Sequence, residues 1–134
     1  MHGNSDSQSQ NEVGVWDSAC NQLSSGRLSI IMPAYGLGDR IASNIRHVHS
    51  LFEGKISFEI IPVDDGSDDH TRPEMESVSQ ELKHVIPVYL ETNTGKGAAL
   101  RAGFRASQGT HILLLDGDLD LPPSQVAGFF DILE

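Results

Sequence analysis

Short apolar stretches alternate with helix-like segments along most of this chain, and no other feature constrains its fold as strongly. Four stretches are short, apolar and rich in β-branched residues, as buried strands are: residues 28–32, 58–63, 85–90 and 111–115. Other segments show helical spacing of apolar residues or the signals of a helix start: residues 41–52, 68–83, 96–107 and a last one opening at 122–124. This order predicts a parallel sheet with helices packed on its faces.

The predicted fold class is therefore α/β, with an open, mostly parallel, Rossmann-like sheet and helices on both faces. Residues 112–115 show no polar alternation, which is typical of a strand in the centre of such a sheet. Residues 1–26 are rich in Ser, Asn, Gln and Gly and lack periodicity, so we expect a disordered polar tail there. Residues 27–134 form the predicted folded domain, whose sheet we expect to be incomplete at the C-terminus.

Composition limits the partners and the compartment. A formal net charge of -10 argues against nucleic-acid binding, because phosphate would be repelled. Cys20 is the one cysteine of the sequence, so no intrachain disulfide can form. The sequence has no apolar stretch of the roughly 18 residues that a membrane span needs, and its N-terminus lacks the features of a signal peptide. We expect a cytoplasmic protein.

A polar cluster follows or ends each predicted strand. The four clusters are residues 33–35, 64–67, 93–97 and 116–118. In open parallel sheets, ligands bind beyond the carboxyl ends of the strands. We therefore expect one edge of the sheet to collect two pairs of carboxylates, a lysine and several glycines in a binding site.

Asp116 and Asp118 are the candidate metal ligands. In an extended segment, residues two apart point the same way, so both carboxylates can face one divalent cation. Mg2+ and Mn2+ favour hard oxygen ligands and often take one or two carboxylates together with phosphate oxygens. The same spacing also occurs in solvated acidic turns, but the position after a buried strand favours a metal site. Asp120 continues the alternation, and we expect it to support the pair.

Two further clusters predict ligand contacts. Asp65 is predicted to accept hydrogen bonds from a base or a sugar, with Asp64 as a supporting group. One of the two aspartates could also cap the following helix, and both roles can hold at once. Lys96 stands between Gly95 and Gly97 at a predicted helix start, where anions are favoured. A surface lysine beside a flexible turn is the alternative there.

Together these segments resemble family 2 glycosyltransferases, especially the branch of dolichyl-phosphate and polyprenyl-phosphate sugar synthases. The matching stretches cover residues 28–123 in the family's order and are LSIIMPAY, IIPVDDGSDDHT, NTGKGAALRAGF and HILLLDGDLDLPP. The resemblance implies a GT-A fold, a UDP- or GDP-linked sugar as donor, and Mg2+ or Mn2+ bound by Asp116 and Asp118. It also implies that the nucleotide lies against Pro33, Ala34, Tyr35 and Asp65. The further expected substrate contacts are Asp64, Lys96, Asp116 and Gly117.

The resemblance further implies inverting transfer of the sugar, with a polyprenyl phosphate at a membrane surface as the acceptor. In the family an Asn-Glu pair usually follows the first cluster, whereas this chain has Gly36-Leu37-Gly38-Asp39, so Asp39 is the candidate substitute for that glutamate. The family's acceptor site and catalytic base come later in the sequence, beyond Glu134. We therefore expect donor binding without efficient transfer by these residues alone, and self-association through the open sheet.

Three other interpretations remain at this point. A dinucleotide-binding oxidoreductase domain would explain a glycine pair at a helix start, but Leu100 occupies the third glycine position of that motif. A phosphotransfer enzyme could use Asp116 as its nucleophile, although its later motifs are missing. A degenerate domain could keep the fold and bind the nucleotide sugar without catalysis.

Overall fold

The computed structural model describes residues 26–118, which form a four-stranded parallel sheet with helices on both faces. The elements within this range are β1 (Leu28–Ala34), α1 (Asp39–Phe52), β2 (Phe58–Asp65), α2 (Thr71–Glu81), β3 (Val88–Leu90), α3 (Lys96–Ala106) and β4 (His111–Leu114). None of these helices is long and apolar enough to cross a membrane. The predicted tail, apart from Gly26, and the helix predicted to open at 122–124 lie outside the described residues.

The strand order is β3-β2-β1-β4, with every pair parallel. The chain adds β2 and β3 on one side of β1, then crosses back and adds β4 on the other side. The order therefore reverses between β1 and β4, and ligands of open α/β sheets bind in the crevice that such a reversal creates. The predicted α/β class is confirmed.

The two faces of the sheet are covered unequally. Apolar residues of α1 and α2 pack against one face, where Ile30 and Ile60 are fully buried. On the other face α3 packs over Ile31 through Ala99. Beside α3 an apolar cavity of about 530 Å³ remains open, and Leu114 on its wall is 51% exposed. Among residues 26–118, the sheet thus keeps an uncovered apolar strip along β4.

Two strands near Pro33 end at other residues than the sequence predicted. β1 continues through Pro33 to Ala34, past the predicted stop at the proline. The carbonyl oxygens of Ile31 and Pro33 accept hydrogen bonds from the N–H groups of Leu115 and Gly117, at 3.0 and 2.9 Å. Pro33 has no N–H to continue this ladder, so β4 ends at Leu114 instead of at residue 115. Regular pairing thereby stops just before residue 116, and the bond from Gly117 to the Pro33 carbonyl holds the turn that follows.

Pro62 explains why β3 is shorter than the predicted strand over residues 85–90. Ile60 pairs with the region of Val85 through two backbone bonds of 2.8 Å, but this pairing is an isolated bridge. Residues two apart on a strand direct their backbone groups to the same side. Pro62 therefore faces β3 without an N–H, and regular pairing resumes only where Val63 meets Val88.

At the amino edge of the sheet, a buried carboxylate joins three segments of the chain. Glu59 of β2 is fully buried, and its Oε2 accepts a hydrogen bond from the Oγ of Ser29 at 2.6 Å. The same oxygen accepts the backbone N–H of Gln108, also at 2.6 Å. Arg27 Nη2 lies 3.7 Å from Oε1. This network ties β1, β2 and the loop before β4 together, and no local sequence pattern indicated it.

Candidate functional site

At the carboxyl edge of the sheet, the described residues form two adjoining cavities. The larger cavity has a volume of about 290 Å³ and is lined by Pro33, Ala34, Tyr35, Asp65, Asn93, Gly95, Lys96, Ala99 and Asp116. The smaller cavity has about 240 Å³ and is lined by Pro33, Tyr35, Leu37, Asp116, Gly117 and Asp118. Both lie at the reversal of strand order between β1 and β4, because they share residues that follow these two strands.

The structure brings most of the predicted site residues together at these cavities. Eight of the ten predicted ligand and metal contacts line one cavity or both, and two line neither: Asp39 and Asp64. Asp39 is 83% exposed, and its Oδ1 lies 2.8 Å from Nε2 of His70. Its expected contact with a nucleotide stays a prediction.

The turn that carries Asp116 and Asp118 is held from two sides. The N–H of Gly117 donates to the Pro33 carbonyl at 2.9 Å, and Nδ2 of Asn44 donates to the Gly117 carbonyl at 2.6 Å. A Cβ at residue 117 would lie 2.9 Å from the Pro33 oxygen, so only glycine fits between the two aspartates. Both carboxylates remain exposed. Asn44 lies far away in the sequence, on α1, and no local pattern pointed to it.

Lys96 is the first residue of α3, as the glycines around it predicted. Its Nζ lies 2.6 Å from Oδ1 of Asp116, so the loop after β3 and the turn after β4 meet through an ion pair. The positive end of the α3 dipole lies at the same point. The larger cavity therefore places one ammonium group and a helix N-terminus beside a carboxylate, which is an arrangement that suits an anion accompanied by a cation.

Asp65 positions the loop that leads to Lys96. It is 5% exposed, and its Oδ1 accepts hydrogen bonds from the N–H of Thr94 at 2.9 Å and from the Thr94 hydroxyl at 3.2 Å. Its Oδ2 accepts the N–H of Gly95 at 3.0 Å. An ionised carboxylate offers about four acceptor positions, so these three bonds leave capacity for a ligand. The predicted contact with a base or sugar is not tested by this geometry.

Asp64 is fully buried and supports the turn that follows β2. Its carboxylate accepts the N–H of Ser67 at 3.3 Å, and Nη2 of Arg72 lies 3.1 Å from its Oδ2. The Arg72 guanidinium also lies 4.9 Å from the centre of the Tyr89 ring. The helix-cap alternative for Asp64 and Asp65 is wrong, because α2 begins later and His70 is its N-cap residue.

Side chains after β2 also hold the loop after β1. The N–H of Gly36 donates to the Ser67 hydroxyl at 2.9 Å, and the N–H of Gly38 donates to Oγ1 of Thr71 at 2.8 Å. Thr71 in turn donates its hydroxyl and its backbone N–H to Asp69, and these bonds hold the pKa of Asp69 below its usual value. Because Asp69 accepts the N–H of Thr71, α2 starts at residue 71 instead of at residue 68 as predicted.

The donor chemistry of the turn after β4 fits a hard divalent cation. Within residues 26–118, no cluster of three His, Cys, Asp or Glu side chains could hold a metal by itself. Asp116 and Asp118 supply two carboxylates, and a cation there would need water or ligand oxygens to complete its coordination. Mg2+ is commonly bound in this way, through one or two carboxylates and the phosphates of a substrate.

Residues 29–134 match the model of the Glycosyl transferase family 2. This chain belongs to that family. Undecaprenyl-phosphate 4-deoxy-4-formamido-L-arabinose transferases of Salmonella paratyphi B and Salmonella newport are 36% identical to it over 103 residues, which is 75% of this chain and 31% of each relative. The family 2 chain thus spans about a third of the length of these relatives. Family membership confirms the predicted resemblance and displaces the dinucleotide-binding and phosphotransfer interpretations.

Solved structures agree with the predicted fold. The mannosyltransferase PcManGT from Pyrobaculum calidifontis, in complex with GDP-Man and Mn2+, has a TM-score of 0.67 at 17% identity, over 89% of this chain and 40% of that one. A TarS structure from S. aureus has a TM-score of 0.64 at 26% identity, over 79% of this chain and 32% of that one. The family 2 chain therefore has a GT-A-type fold.

Proposed function

We propose that residues 27–134 are the donor-binding part of an inverting, metal-dependent glycosyltransferase. In this proposal the donor is a UDP- or GDP-linked sugar, and Asp116 and Asp118 bind Mg2+ or Mn2+. The observation that carries it is the meeting of both aspartates with Lys96 and Tyr35 around two cavities that share Asp116. Family membership supports the reaction class, since the named relatives are sugar transferases.

Each lining residue has a role that its environment allows. Tyr35 is 54% exposed and lines both cavities, so its ring is available to stack on a base. Asp65 has acceptor capacity left for a base or ribose donor. Lys96 and the α3 N-terminus attract the diphosphate. A bound divalent cation would neutralise the diphosphate and stabilise it as a leaving group.

For the longer protein, we propose a polyprenyl phosphate as the acceptor. The support is that undecaprenyl-phosphate appears in the names of the Salmonella relatives. Such an acceptor has its phosphate at the membrane surface. We therefore propose that the protein is cytoplasmic and associates peripherally with the membrane. Neither the sugar nor the base of the nucleotide is specified by the described contacts.

Calorimetric titration tests the donor site. UDP and GDP are each titrated with and without Mn2+ into the chain and into the Asp116→Asn/Asp118→Asn variant. We expect one nucleotide to bind in a Mn2+-dependent manner, and this binding to be lost in the variant. The matched control is Glu53→Gln/Glu76→Gln, which removes the same two charges from exposed positions outside both cavities. A folded chain that binds neither nucleotide would contradict the proposal.

A further inference from the structure

Lys96 pairs with a carboxylate that the proposed function assigns to a metal. Its Nζ lies 2.6 Å from Oδ1 of Asp116, and both residues line the larger cavity. An oxygen that holds an ammonium this closely is not free to bind a cation. We infer that Lys96 is a built-in counter-cation, which neutralises Asp116 in the ligand-free site and turns to the diphosphate when donor and metal bind. This inference rests on the proposed function.

The exposure of the pair indicates that it can exchange. The side chains of Lys96 and Asp116 are 61% and 56% exposed, whereas Asp64, in its pair with Arg72, is fully buried. Exposed ion pairs are weak, because solvent screens the two charges and holding both side chains costs entropy. A lysine ammonium also sits on a flexible stem that can change rotamer without moving the backbone. The contact therefore breaks at little cost when a stronger partner arrives.

The backbone at Lys96 is fixed even though its side chain is exposed. Asp65 accepts the N–H groups of Thr94 and Gly95, which anchors the residue just before Lys96. The N-terminus of α3 starts there and borders the larger cavity. The ammonium can therefore swing about a fixed Cα between Asp116 and an anion at the helix N-terminus, where backbone N–H groups already attract phosphate.

This exchange couples the two ligands. A diphosphate that draws Lys96 away leaves Asp116 free for the metal, so nucleotide should tighten metal binding. The coupling must be reciprocal, since each ligand changes the affinity of the other by the same factor. If Lys96 only bound phosphate, replacing it would leave the affinity for the metal in the absence of nucleotide unchanged.

The test measures Mn2+ affinity by electron paramagnetic resonance, with and without the nucleotide that calorimetry identifies. The variants are Lys96→Met and the control Lys55→Met, which removes the same charge from the exposed turn after α1. Without nucleotide, we expect Lys96→Met to bind Mn2+ about two- to fivefold more tightly than the unchanged chain, the range of an exposed pair. The same variant should bind nucleotide more weakly and show less coupling, while Lys55→Met changes neither.

Three results would overturn the inference. Suppose that Asp118→Asn abolishes Mn2+ binding, but Lys96→Met binds Mn2+ no more tightly than the unchanged chain does. The inference is then wrong, while the proposed donor site stands. If both lysine variants tighten Mn2+ binding to the same extent, the effect comes from net charge and not from the pair. If no variant and no unchanged chain binds Mn2+, the proposed metal site fails as well.

Discussion

The two edges of the sheet use carboxylates in opposite ways. At the amino edge, Glu59 is fully buried, and it accepts bonds from Ser29 and Gln108. At the carboxyl edge, Asp116 is 56% exposed and its one ion pair among residues 26–118 is with Lys96. The first carboxylate holds segments of the chain together in the interior, whereas the second is exposed at the cavities, where a ligand can reach it.

Asp65 lies between these extremes and shows why the difference matters. It is nearly as buried as Glu59, yet it lines the larger cavity and holds the loop that carries Lys96. A carboxylate at the functional edge can therefore serve the fold and the site together. Burial alone does not separate the two uses, but position does: Asp65 lines the larger cavity, whereas Glu59 lines neither cavity.

Removing the buried carboxylate should have the largest effect. Glu59→Ala leaves the Ser29 hydroxyl and the Gln108 N–H without their acceptor and Arg27 without its partner. We expect the free energy of unfolding to fall by about 3–4 kcal/mol, as measured by urea denaturation. Glu59→Gln keeps one acceptor oxygen and should cost less. A loss below about 1 kcal/mol for the alanine variant would contradict the view that Glu59 stabilises the fold more than Asp116 does.

The matching change at the other edge should affect binding and leave stability intact. Asp116→Asn removes a proposed metal ligand, and even residues outside the coordination shell change metal affinity by about 10- to 100-fold. We expect nucleotide binding in Mn2+ to weaken about 100-fold, measured by calorimetry. The free energy of unfolding should change by no more than about 0.5 kcal/mol, the range of an exposed substitution. A large loss of stability would show that Asp116 serves the fold too.

The sequence predicted the carboxylates at the carboxyl edge of the sheet better than the one at the amino edge. Asp116 and Asp118 follow a buried strand at a recognisable spacing, so local pattern sufficed to place them at the cavities. Glu59 gave no signal, because a charged residue inside a strand predicts a solvent-facing position, and its partner Gln108 lies 49 residues away. Pairing over such distances depends on tertiary packing, and the same holds for Lys96 and Asp116.

Strand boundaries show the same limit at the level of the backbone. The apolar stretches located all four strands, and the prolines within them were visible. Their effect on strand pairing could not be predicted, because it depends on which side of the strand each missing N–H faces. Pro33 faces β4 and Pro62 faces β3, as the bonds of Ile31 and Ile60 show. That orientation follows from register, which the sequence alone does not specify.

A third, intermediate effect is expected where the fold and the site meet. Gly66 has φ +75, and a Cβ there would lie 2.4 Å from the N atom of Asn93. Gly66→Ala should therefore push the loop after β3 away from Asp65 and destabilise the chain by about 2 kcal/mol. The amide resonances of Thr94 and Gly95 report the displacement, and Gly54→Ala, which also has positive φ but meets no atom within 4 Å, is the control. Unchanged Thr94 and Gly95 resonances would contradict the expected crowding.

The smallest effect concerns a carboxylate that serves the fold while exposed. The bonds from Thr71 lower the pKa of Asp69 from its ordinary value of 3.8. A lowered pKa means that the stabilisation is present above pH 3.8 and disappears as the pH falls through the folded-state value. The stability difference between the chain and Asp69→Asn should shrink in that acidic range, measured by denaturation at several pH values. A difference that is independent of pH would argue against the bonds.

Gly103 allows α3 to pack closely against the sheet. A Cβ at this position would lie 2.5 Å from Ile31 Cγ2 and 3.1 Å from Val63 Cγ2, so glycine allows this turn of the helix to approach the sheet closely. Lys96 lies seven residues away on the same helix, or about 10 Å at 1.5 Å per residue. Any side chain at position 103 would push this turn of α3 away from the sheet. The distance between the sheet and the helix that carries Lys96 therefore depends on a residue that lines neither cavity.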